Sequence, residues 1–541
     1  MSLILDRRSL LKAASLGIGV AATPAFSALA NARGFTHNVA SGEPRQQSVL
    51  LWTRYVAASG GDTRLGVEVS DSADFGRIVA RAEGDALGAS DSCAKVMIEG
   101  LTPGSWYFYR FRAPDGTMSP VGRTRTLPDG PTRKFTLGVF SCSNLPFGWF
   151  NAYGHAAARD DIDLMVHLGD YLYEYERGKY PAAADALAGR IIDPSTEILA
   201  LSDYRMRFAS YRADPDLQRL HQLFPMVAMW DDHEIANDAW TGGAQNHQPE
   251  TEGDWAARRD AALKAYREWM PVSDRVSESY EIGDLATIIR PETRITGRSQ
   301  QLNLAQALGG QSDVRAALLA FRDGPWSDPK RSILGEAQEK WVADELRRSV
   351  SSGTRWQVLA QQLLVGSVSL PPESKDWIRP EASAEVKQGA AVGLMAASIG
   401  LPFNFDMWGG YPAARRRLLS SALDANANLI VLAGDSHNAW AFDLAVDGKP
   451  AGVEFGGTSV TSPGYESYLP WVKPEVMARA IVGANPELKW ADMSRRGYMT
   501  VELTPDTARG EWLFVDTIRQ RSTALSGRDA MSVARGSNRL A

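Results

Sequence analysis

Four short apolar runs in this sequence end abruptly in side chains that can bind a metal ion. They are followed by Ser-Cys-Ser-Asn at 141–144, Gly-Asp-Tyr-Leu-Tyr at 169–173, Asp-Asp-His-Glu at 231–234 and Gly-Asp-Ser-His at 434–437. Short apolar runs of this kind are typical of buried strands, and groups just beyond the carboxyl ends of strands in α/β sheets converge on one crevice. The pattern therefore predicts one site that collects cysteine, tyrosine, aspartate and histidine.

Taken one at a time, these motifs have ordinary structural explanations. A Gly-Asp pair after a strand is more often a turn with a solvated aspartate. His233 or His437 alone is more often a hydrogen-bonded structural histidine. Four such endings in one chain are hard to obtain by chance, and this recurrence favours the metal site.

A linker rich in proline and glycine, at 126–132, divides the chain into two predicted domains. Residues 35–127 contain short β-rich segments separated by turns, at the spacing of a small β-sandwich. The stretch 101–110 resembles the tyrosine corner of fibronectin-like sandwiches. This domain carries no cluster of acids, bases or metal ligands, which favours a scaffold or docking role.

Residues 134–518 alternate strands with helical patterns, which indicates a layered α/β catalytic domain. The spacing of apolar residues predicts a helix at 334–350, and a closing hairpin is predicted from strands at 498–503 and 511–518. The C-terminal tail, 519–541, is polar and is predicted to be loose.

The N-terminus has the pattern of a twin-arginine export signal at residues 1–30. Arg7 and Arg8 precede an apolar run of small residues that ends in an Ala-Leu-Ala cleavage site. Pro24 and the weak apolarity of the run argue against a membrane anchor, and no later segment reaches the length of a span. We expect export through the twin-arginine translocase to the periplasm or the medium, without a transmembrane segment in the mature chain.

Charge and cysteine content restrict the partners further. A net charge of −6 provides no basic field for the phosphates of nucleic acid, so no stable nucleic-acid complex is expected. Cys93 and Cys142 are the two cysteines, and a disulfide between them is the default alternative in an oxidising compartment. The polar context of Cys142 suits a metal ligand better.

The strand-end motifs, in this order, resemble the calcineurin-like metallophosphoesterases, and more closely their PhoD-type alkaline phosphatase branch. The resemblance covers nearly the whole chain after the signal, including the opening at 35–44, Leu-Trp-Thr-Arg at 51–54 and the segment 455–462. It implies a layered α/β metallophosphoesterase domain preceded by a small fibronectin-like β-sandwich. It also implies hydrolysis of phosphate esters by metal-activated water, with phosphate released outside the cytoplasm.

In that family a cysteine, an aspartate and the tyrosine three residues later bind ferric iron, and calcium ions share the cluster. Carried over to this chain, the resemblance implies metal ligands at Cys142, Asp170, Tyr173, Asp232, Asp435 and His437. The first three match the Fe³⁺ ligands, Asp232 lies on a second metal, and Asp435 and His437 close the site. His233 is then the natural proton donor to the leaving group.

The ligand chemistry supports the same metals. Thiolate, phenolate and imidazole suit a strongly Lewis-acidic transition metal, whereas carboxylate oxygens suit hard cations such as Ca²⁺. Seven histidines in 541 residues argue against an all-histidine zinc centre. Two departures from the family pattern, Glu292 for aspartate and Gly409 for aspartate, are expected to alter the surroundings of the ligands or the substrate preference.

Three other functions compete with this interpretation. Phospholipase D-like phosphodiesterase action, on a phospholipid instead of a small phosphate ester, uses the same site. A serine-nucleophile alkaline phosphatase would use Ser436, but this serine lies inside the Gly-Asp-Ser-His motif and the rest of that family's pattern is absent. A non-enzymatic binding protein built on the front sandwich would require a broken ligand set.

Overall fold

The computed structural model describes residues 32–541, so the export signal predicted at residues 1–30 lies outside the described residues. Within this part of the chain, no helix has the length and apolarity needed to cross a membrane.

The larger of two central β-sheets contains nine strands within the described residues, in the spatial order β20-β19-β18-β8-β9-β10-β1-β2-β5. Strands β8, β9 and β10 are parallel neighbours. The strands of this sheet are β1 (Gly34–Gly42), β2 (Val49–Val56), β5 (Cys93–Ile98), β8 (Phe135–Phe140), β9 (Leu164–His167), β10 (Pro225–Ala228), β18 (Gly497–Leu503), β19 (Thr507–Val515) and β20 (Leu525–Ala534).

The second central sheet has seven strands in the described part, in the order β11-β12-β13-β14-β16-β15-β17. Its members β12, β13, β14 and β16 run parallel to one another. The strands are β11 (Glu278–Ile282), β12 (Ala286–Arg290), β13 (Trp356–Ala360), β14 (Leu429–Ala433), β15 (Ala439–Val446), β16 (Lys449–Gly456) and β17 (Leu488–Asp492).

The two sheets pack face to face around one apolar core. Alternate residues of β8 and β9 meet alternate residues of β13 and β14 in this core, for example Leu137 and Val166 from the first sheet and Val358 and Leu432 from the second. Alternation follows from the strand period of two, which sends successive side chains to opposite faces. Helices bury the two outer faces, so the catalytic part has helical layers outside a pair of sheets.

Twelve α-helices lie in the described residues, and their bounds follow. They are α1 (Asn151–Ala157), α2 (Leu201–Arg212), α3 (Pro215–Leu223), α4 (Pro249–Glu252), α5 (Trp255–Trp269), α6 (Leu304–Leu308), α7 (Val314–Phe321), α8 (Gly335–Ser351), α9 (Ala384–Ser398), α10 (Pro412–Asp424), α11 (Tyr465–Tyr468) and α12 (Pro474–Ala484). The helix predicted at 334–350 is confirmed as α8.

A third, four-stranded antiparallel sheet packs on β1, β2 and β5 to form the predicted N-terminal sandwich. Within it, the Tyr107 hydroxyl accepts a hydrogen bond from the Thr102 amide at 2.9 Å, as the tyrosine-corner pattern predicts. The sandwich is not separate, however, because β1 also pairs in parallel with β10 of the catalytic sheet. The four strands are β3 (Thr63–Ser70), β4 (Ile78–Ala86), β6 (Trp106–Arg112) and β7 (Gly122–Arg125).

The C-terminal hairpin is confirmed, since β18 and β19 pair antiparallel. The prediction of a loose tail at 519–541 is wrong for β20 (Leu525–Ala534), which pairs with β19 along its whole length. Side chains of β20 alternate between half-buried and exposed. A half-buried edge strand of this kind can be built from polar residues, so polar composition did not distinguish it from a coil.

Candidate metal centre

The four strand ends predicted to form a site do converge. The segments after β8, β9 and β10 leave one edge of the first sheet, and the segment after β14 leaves the second sheet above them. Backbone contacts join the segments: the Cys142 amide donates to Gly169 O at 3.1 Å, and the Ser143 amide to Asp170 O at 2.9 Å. Three of the four predicted segments therefore follow adjacent strands of one sheet, β8, β9 and β10.

In both Gly-Asp motifs, the glycine lets another segment of the chain approach closely. A Cβ on Gly169 would lie 2.4 Å from Asp231 Cβ, and a Cβ on Gly434 would lie 2.7 Å from Ser141 Cβ. The aspartates that follow, Asp170 and Asp435, have positive φ angles of 54° and 57°. Left-handed backbone at non-glycine residues is uncommon and clusters at functional sites. Asp170 is 1% exposed and the Asp435 side chain is 16% exposed, so the solvated-turn explanation of these motifs is wrong.

Donor atoms of the predicted ligands form three overlapping groups among the described residues. In each group the donor atoms lie within 4.8 Å of one another. The Tyr173 hydroxyl joins the first group, because it donates to Asp170 Oδ2 at 3.0 Å and lies 3.2 Å from His437 Nε2. The groups are Cys142 with Asp170 and His437, Asp170 with Asp232 and His233, and Asp231 with Asp232 and Asp435.

Electrostatics at the centre favour a bound cation. Burial raises the pKa values of the Asp170 and Asp435 carboxyl groups well above their usual range, and neighbouring aspartates add to this effect although the charges of His233 and Arg294 oppose it. Burial also raises the pKa of the Cys142 thiol, and the charge of Asp170 adds to this effect. Asp170 Oδ1 and Asp231 Oδ2 are buried without a hydrogen-bond partner among the described residues. Unpartnered buried carboxylate oxygens beside a thiol fit metal coordination.

The two histidines differ in state. His437 Nδ1 lies 2.8 Å from Pro463 O, so this nitrogen is the donor and Nε2 is left facing the donor atoms of the centre. Burial lowers the pKa of His437 to about 3, which keeps the imidazole neutral. A neutral imidazole whose other nitrogen is held by a carbonyl is the usual form of a metal ligand.

His233 is instead held as a cation. Its Nδ1 lies 2.7 Å from Glu174 Oε2. Burial lowers the pKa of His233, but the charges of Glu174, Asp170 and Asp232 outweigh burial and raise this pKa well above its usual value. Glu174 is fixed in turn by the Asn237 amide at 2.8 Å. A protonated imidazole aimed at the centre can donate a proton.

Sequence reasoning assigned no role to Asp231, which begins the Asp-Asp-His-Glu motif, or to Arg294, which lies two residues after Glu292. Arg294 lies among the carboxylates: its Nε donates to Asp231, Nη1 to Asp406 at 2.6 Å and Nη2 to Asp435 at 3.0 Å. Its charge lowers the pKa of Asp232, which despite burial falls to about 2. Asp406 gave no signal in the sequence, since no motif surrounds it.

Glu234 also escaped prediction, and it joins two ligand segments. Its carboxylate accepts from the Tyr171 amide at 2.6 Å and from the Asp231 amide at 2.8 Å. Glu292, the first departure from the family pattern, also joins two segments. Its carboxylate accepts from the Arg294 amide at 2.7 Å and from Trp230 Nε1 at 3.1 Å. The longer side chain thus shapes the loop that presents Arg294.

Gly409, the second departure, lies outside the group of donor atoms. A Cβ at this position would lie 2.9 Å from Ser367 Oγ. The nearby carboxylate that faces the centre belongs to Asp406, which is bonded to Arg294 and Arg298.

The disulfide alternative is wrong. Cys93 and Cys142 are both free and buried. Cys93 lies on β5 at the edge of the first sheet, whereas Cys142 follows β8 near its middle.

Comparison with known proteins places this geometry in a family. The profile of the PhoD-like phosphatase domain matches residues 137–512, and the profile of the PhoD-like phosphatase N-terminal domain matches residues 20–128. The chain belongs to the PhoD-like phosphatase family. Family membership confirms the resemblance drawn from the strand-end motifs.

Individual members of the family agree. Alkaline phosphatase D of Bacillus subtilis (strain 168), a phosphoric ester hydrolase, is 32% identical over 562 aligned positions that cover 97% of this chain and 86% of that protein. The solved structure of PhoD matches with a TM-score of 0.76 and 28% identity, over 94% of this chain and 92% of that chain. Both matches extend over the sandwich and the catalytic part.

A more distant structure shares the fold alone. Purple acid phosphatase PPD1 from yellow lupin seeds matches with a TM-score of 0.54 at 11% identity, over 93% of this chain and 75% of that chain. The predicted layered α/β fold with a small β-sandwich in front is confirmed by the match to PhoD and by the N-terminal domain profile.

Proposed function

We propose that this protein hydrolyses phosphate esters, as an alkaline phosphatase or phosphodiesterase, with water activated at a centre of Fe³⁺ and Ca²⁺. The observation that carries the proposal is the overlap of three donor groups at one set of strand ends. A thiol, a phenol and a neutral imidazole stand beside carboxylates with unpartnered oxygens. Family membership supports phosphoric ester hydrolysis independently.

The donor types suggest how the metals are distributed. Cys142, Asp170 and Tyr173 would hold Fe³⁺, because sulfur and phenolate suit a strong Lewis acid. Asp232 faces the carboxylate side and would hold Ca²⁺, while Asp435 and His437 close the site. When bound, such metals lower the pKa of a coordinated water and neutralise the charge of the phosphate.

The chain's own residues position the reactants and move the proton. His233, protonated through its pairing with Glu174, donates from Nε2 to the leaving oxygen. Arg294 keeps the aspartates apart and in place, with one nitrogen on each of Asp231, Asp406 and Asp435. Both residues are fixed before substrate arrives, which reduces the reorganisation needed during the reaction.

Ser436 is a poor nucleophile in this arrangement. Its Oγ accepts a hydrogen bond from Trp440 Nε1 at 2.7 Å and lies 3.4 Å from Asn438 O. The hydroxyl is thus engaged by an indole and a carbonyl, neither of which can act as a base. These contacts support attack by water.

Export is part of the proposal. The twin-arginine pattern of the first thirty residues suggests transport of the folded protein by the twin-arginine translocase, to the periplasm or the medium. Loading of metals before export suits this route. Fusion of residues 1–30 to a reporter that folds in the cytoplasm tests it: export should be lost when Arg7 and Arg8 are both changed to Lys.

Metal removal tests the catalytic proposal. We expect a calcium chelator to abolish hydrolysis of a chromogenic monoester and added Ca²⁺ to restore it, with elemental analysis at each step. Asp232→Asn should lose calcium and activity, whereas Asp506→Asn, at an exposed turn between β18 and β19, should lose neither. Full activity after verified metal loss would sink the metal mechanism. Turnover of a diester alongside its monoester distinguishes the phosphatase from the phospholipase D-like phosphodiesterase.

A further inference from the structure

An apolar cavity of about 350 Å³ lies near the candidate metal centre. It is enclosed by α9, α11, α12 and the segment 368–378, and none of the described residues that line it is charged. Its volume is within the range of about 300–1,000 Å³ typical of small-molecule pockets. Its larger side chains are Leu370, Trp377, Phe403, Tyr465, Leu469 and Ile481.

Large apolar side chains are exposed around this cavity. Val386 in its wall is 52% exposed, and Trp471 nearby is 44% exposed. Trp471 is held in place, because its Nε1 donates to Trp377 O at 2.7 Å and the Arg379 guanidinium lies 3.9 Å from its ring. Exposed apolar side chains that cluster around an apolar cavity indicate a binding site, whereas single scattered ones do not.

The cavity and the metal centre share a wall, the short helix α11. Tyr465 at the start of α11 lines the cavity, and its amide donates to Asn438 Oδ1 at 3.2 Å. Asn438 directly follows His437, and the His437 ring is held by Pro463 O, two residues before α11. The same turn of chain therefore bounds the cavity and fixes a candidate ligand.

The other end of α11 leads back to the centre through tyrosines. The Tyr468 hydroxyl lies within hydrogen-bonding reach of the Tyr180 hydroxyl. The Tyr180 ring centroid lies 5.7 Å from that of Tyr173. Tyr468 is 61% exposed, so this row of rings runs from the surface beside the cavity to the metal centre.

We propose that the cavity is a subsite for one hydrocarbon chain of the phosphate-ester substrate. The inference rests on the proposed function, because it requires the phosphate to bind at the metal centre. At about 30 Å³ for each non-hydrogen atom, as for water in the liquid, the cavity takes roughly twelve such atoms. The predicted substrate class is therefore an ester with a single aliphatic chain of about eight to twelve carbons.

The chemistry of the wall favours an aliphatic chain over a sugar or nucleoside. Of its two serines, Ser369 already uses its hydroxyl on Leu401 O at 3.1 Å, whereas the buried Ser374 hydroxyl has no partner among the described residues. One free hydroxyl cannot replace the several hydrogen bonds to water that a hydroxyl-rich group would lose when buried against this wall. A hydrocarbon chain loses none and gains from burial.

The test is a series of alkyl 4-nitrophenyl phosphate diesters, from methyl to dodecyl, with the metal-loaded full chain. We expect kcat/KM to rise by up to about fourfold for each added methylene and to level off between octyl and dodecyl, when the cavity is full. A profile that is flat from methyl to dodecyl, with hydrolysis intact, overturns the subsite and leaves the proposed function standing.

Filling the cavity gives a matched pair of variants. A Cβ on Gly389, in the wall formed by α9, meets no atom within 4 Å, so Gly389→Phe adds a ring without a backbone clash. Gly483 on α12 is equally open but does not line the cavity, so Gly483→Phe is the control. We expect Gly389→Phe to remove the preference for octyl over methyl and to leave methyl turnover unchanged. Equal profiles for both variants contradict the assignment.

A binding measurement tests the hydrocarbon subsite separately from the proposed hydrolysis. Calorimetry with octyl phosphate and methyl phosphate should give tighter binding of octyl phosphate and a more negative heat-capacity change. Val386→Asp should remove this difference, whereas Val476→Asp, exposed on α12 outside the cavity, should keep it. No hydrolysis of any ester would refute the proposed function, while equal binding of the two phosphates would refute the subsite.

Discussion

His233 and Glu174 form a buried pair at the edge of the donor groups, with Nδ1 and Oε2 2.7 Å apart. If His233 donates the proton to the leaving group, His233→Ala should lower kcat for alkyl esters by about a hundred-fold to ten-thousand-fold. The loss should be much smaller for 4-nitrophenyl esters, because a good leaving group needs no proton. Steady-state kinetics over a series of leaving groups measures the difference.

His155 provides the matched control for this variant. It lies on α1 outside the donor groups and contacts the Tyr498 hydroxyl at 2.8 Å. His155→Ala should leave the dependence on leaving group unchanged. An equal loss by His233→Ala for good and poor leaving groups, at unchanged metal content, contradicts the assigned role.

Tyr173 and Cys142 predict a visible colour. Ferric iron bound by phenolate or thiolate gives a charge-transfer band, so protein from iron-replete cells should be tinted. Tyr173→Phe should weaken or shift this band, because it removes the hydroxyl that lies 3.0 Å from Asp170 Oδ2 and keeps the ring. Absorption spectra and iron content of matched preparations measure the effect.

Cysteine variants distinguish a metal-ligand role of Cys142 from a packing role. Cys142→Ser should reduce iron retention strongly, since a neutral hydroxyl replaces an anionic sulfur. Cys93→Ser is the control, because Cys93 is free, buried and on another strand. Iron retained equally by both variants would remove Cys142 from the proposed ligand set.

At the scale of elements, the close approach of two strand ends depends on Gly434 after β14. A Cβ there would lie 2.7 Å from both Cβ and Oγ of Ser141 after β8. Gly434→Ala should therefore separate the two segments, lower stability by about 1–3 kcal/mol and weaken metal binding. Gly483→Ala, in open space on α12, should be neutral or slightly stabilising. Thermal unfolding and metal content measured together decide; unchanged values for Gly434→Ala contradict the packing argument.

The sequence predicted those parts of the site that follow directly from strand ends. Cys142, Asp170 and Asp435 each stand within two residues of an apolar run, so local pattern was enough to find them. Arg294 and Asp406 were not found, because they reach the centre from loops after β12 and before α10. Their positions depend on how the second sheet packs on the first, which no local pattern encodes.

At the scale of the whole molecule, the sequence predicted the β-rich character of the N-terminal sandwich but not its connection to the catalytic sheet. The pairing of Ser41 with Pro225 and of Gly42 with Met226 joins segments almost two hundred residues apart. Strand periodicity indicates which face of a strand is buried and not which strand lies beside it. For the same reason, the composition of the linker at 126–132 indicated two independent domains.

The pairing of β1 with β10 makes the catalytic part depend on the sandwich for its stability. Deleting residues 32–128 should leave the catalytic part insoluble or strongly destabilised, because it exposes the edge of β10 to pairing with other chains. The deletion also removes Trp52, which is buried, donates to Glu268 O at 2.8 Å and lies under the Arg212 guanidinium at 4.2 Å. The linker itself is fixed, since the Gly283 amide donates to Pro128 O at 3.0 Å.

Solubility, circular dichroism and thermal unfolding of the shortened chain measure the outcome, and a full chain cut at a protease site inserted in the linker is the control. The cut chain should keep both parts associated and folded. A soluble, monomeric catalytic part with the thermal midpoint of the full chain would show that the sandwich and the catalytic part are energetically independent.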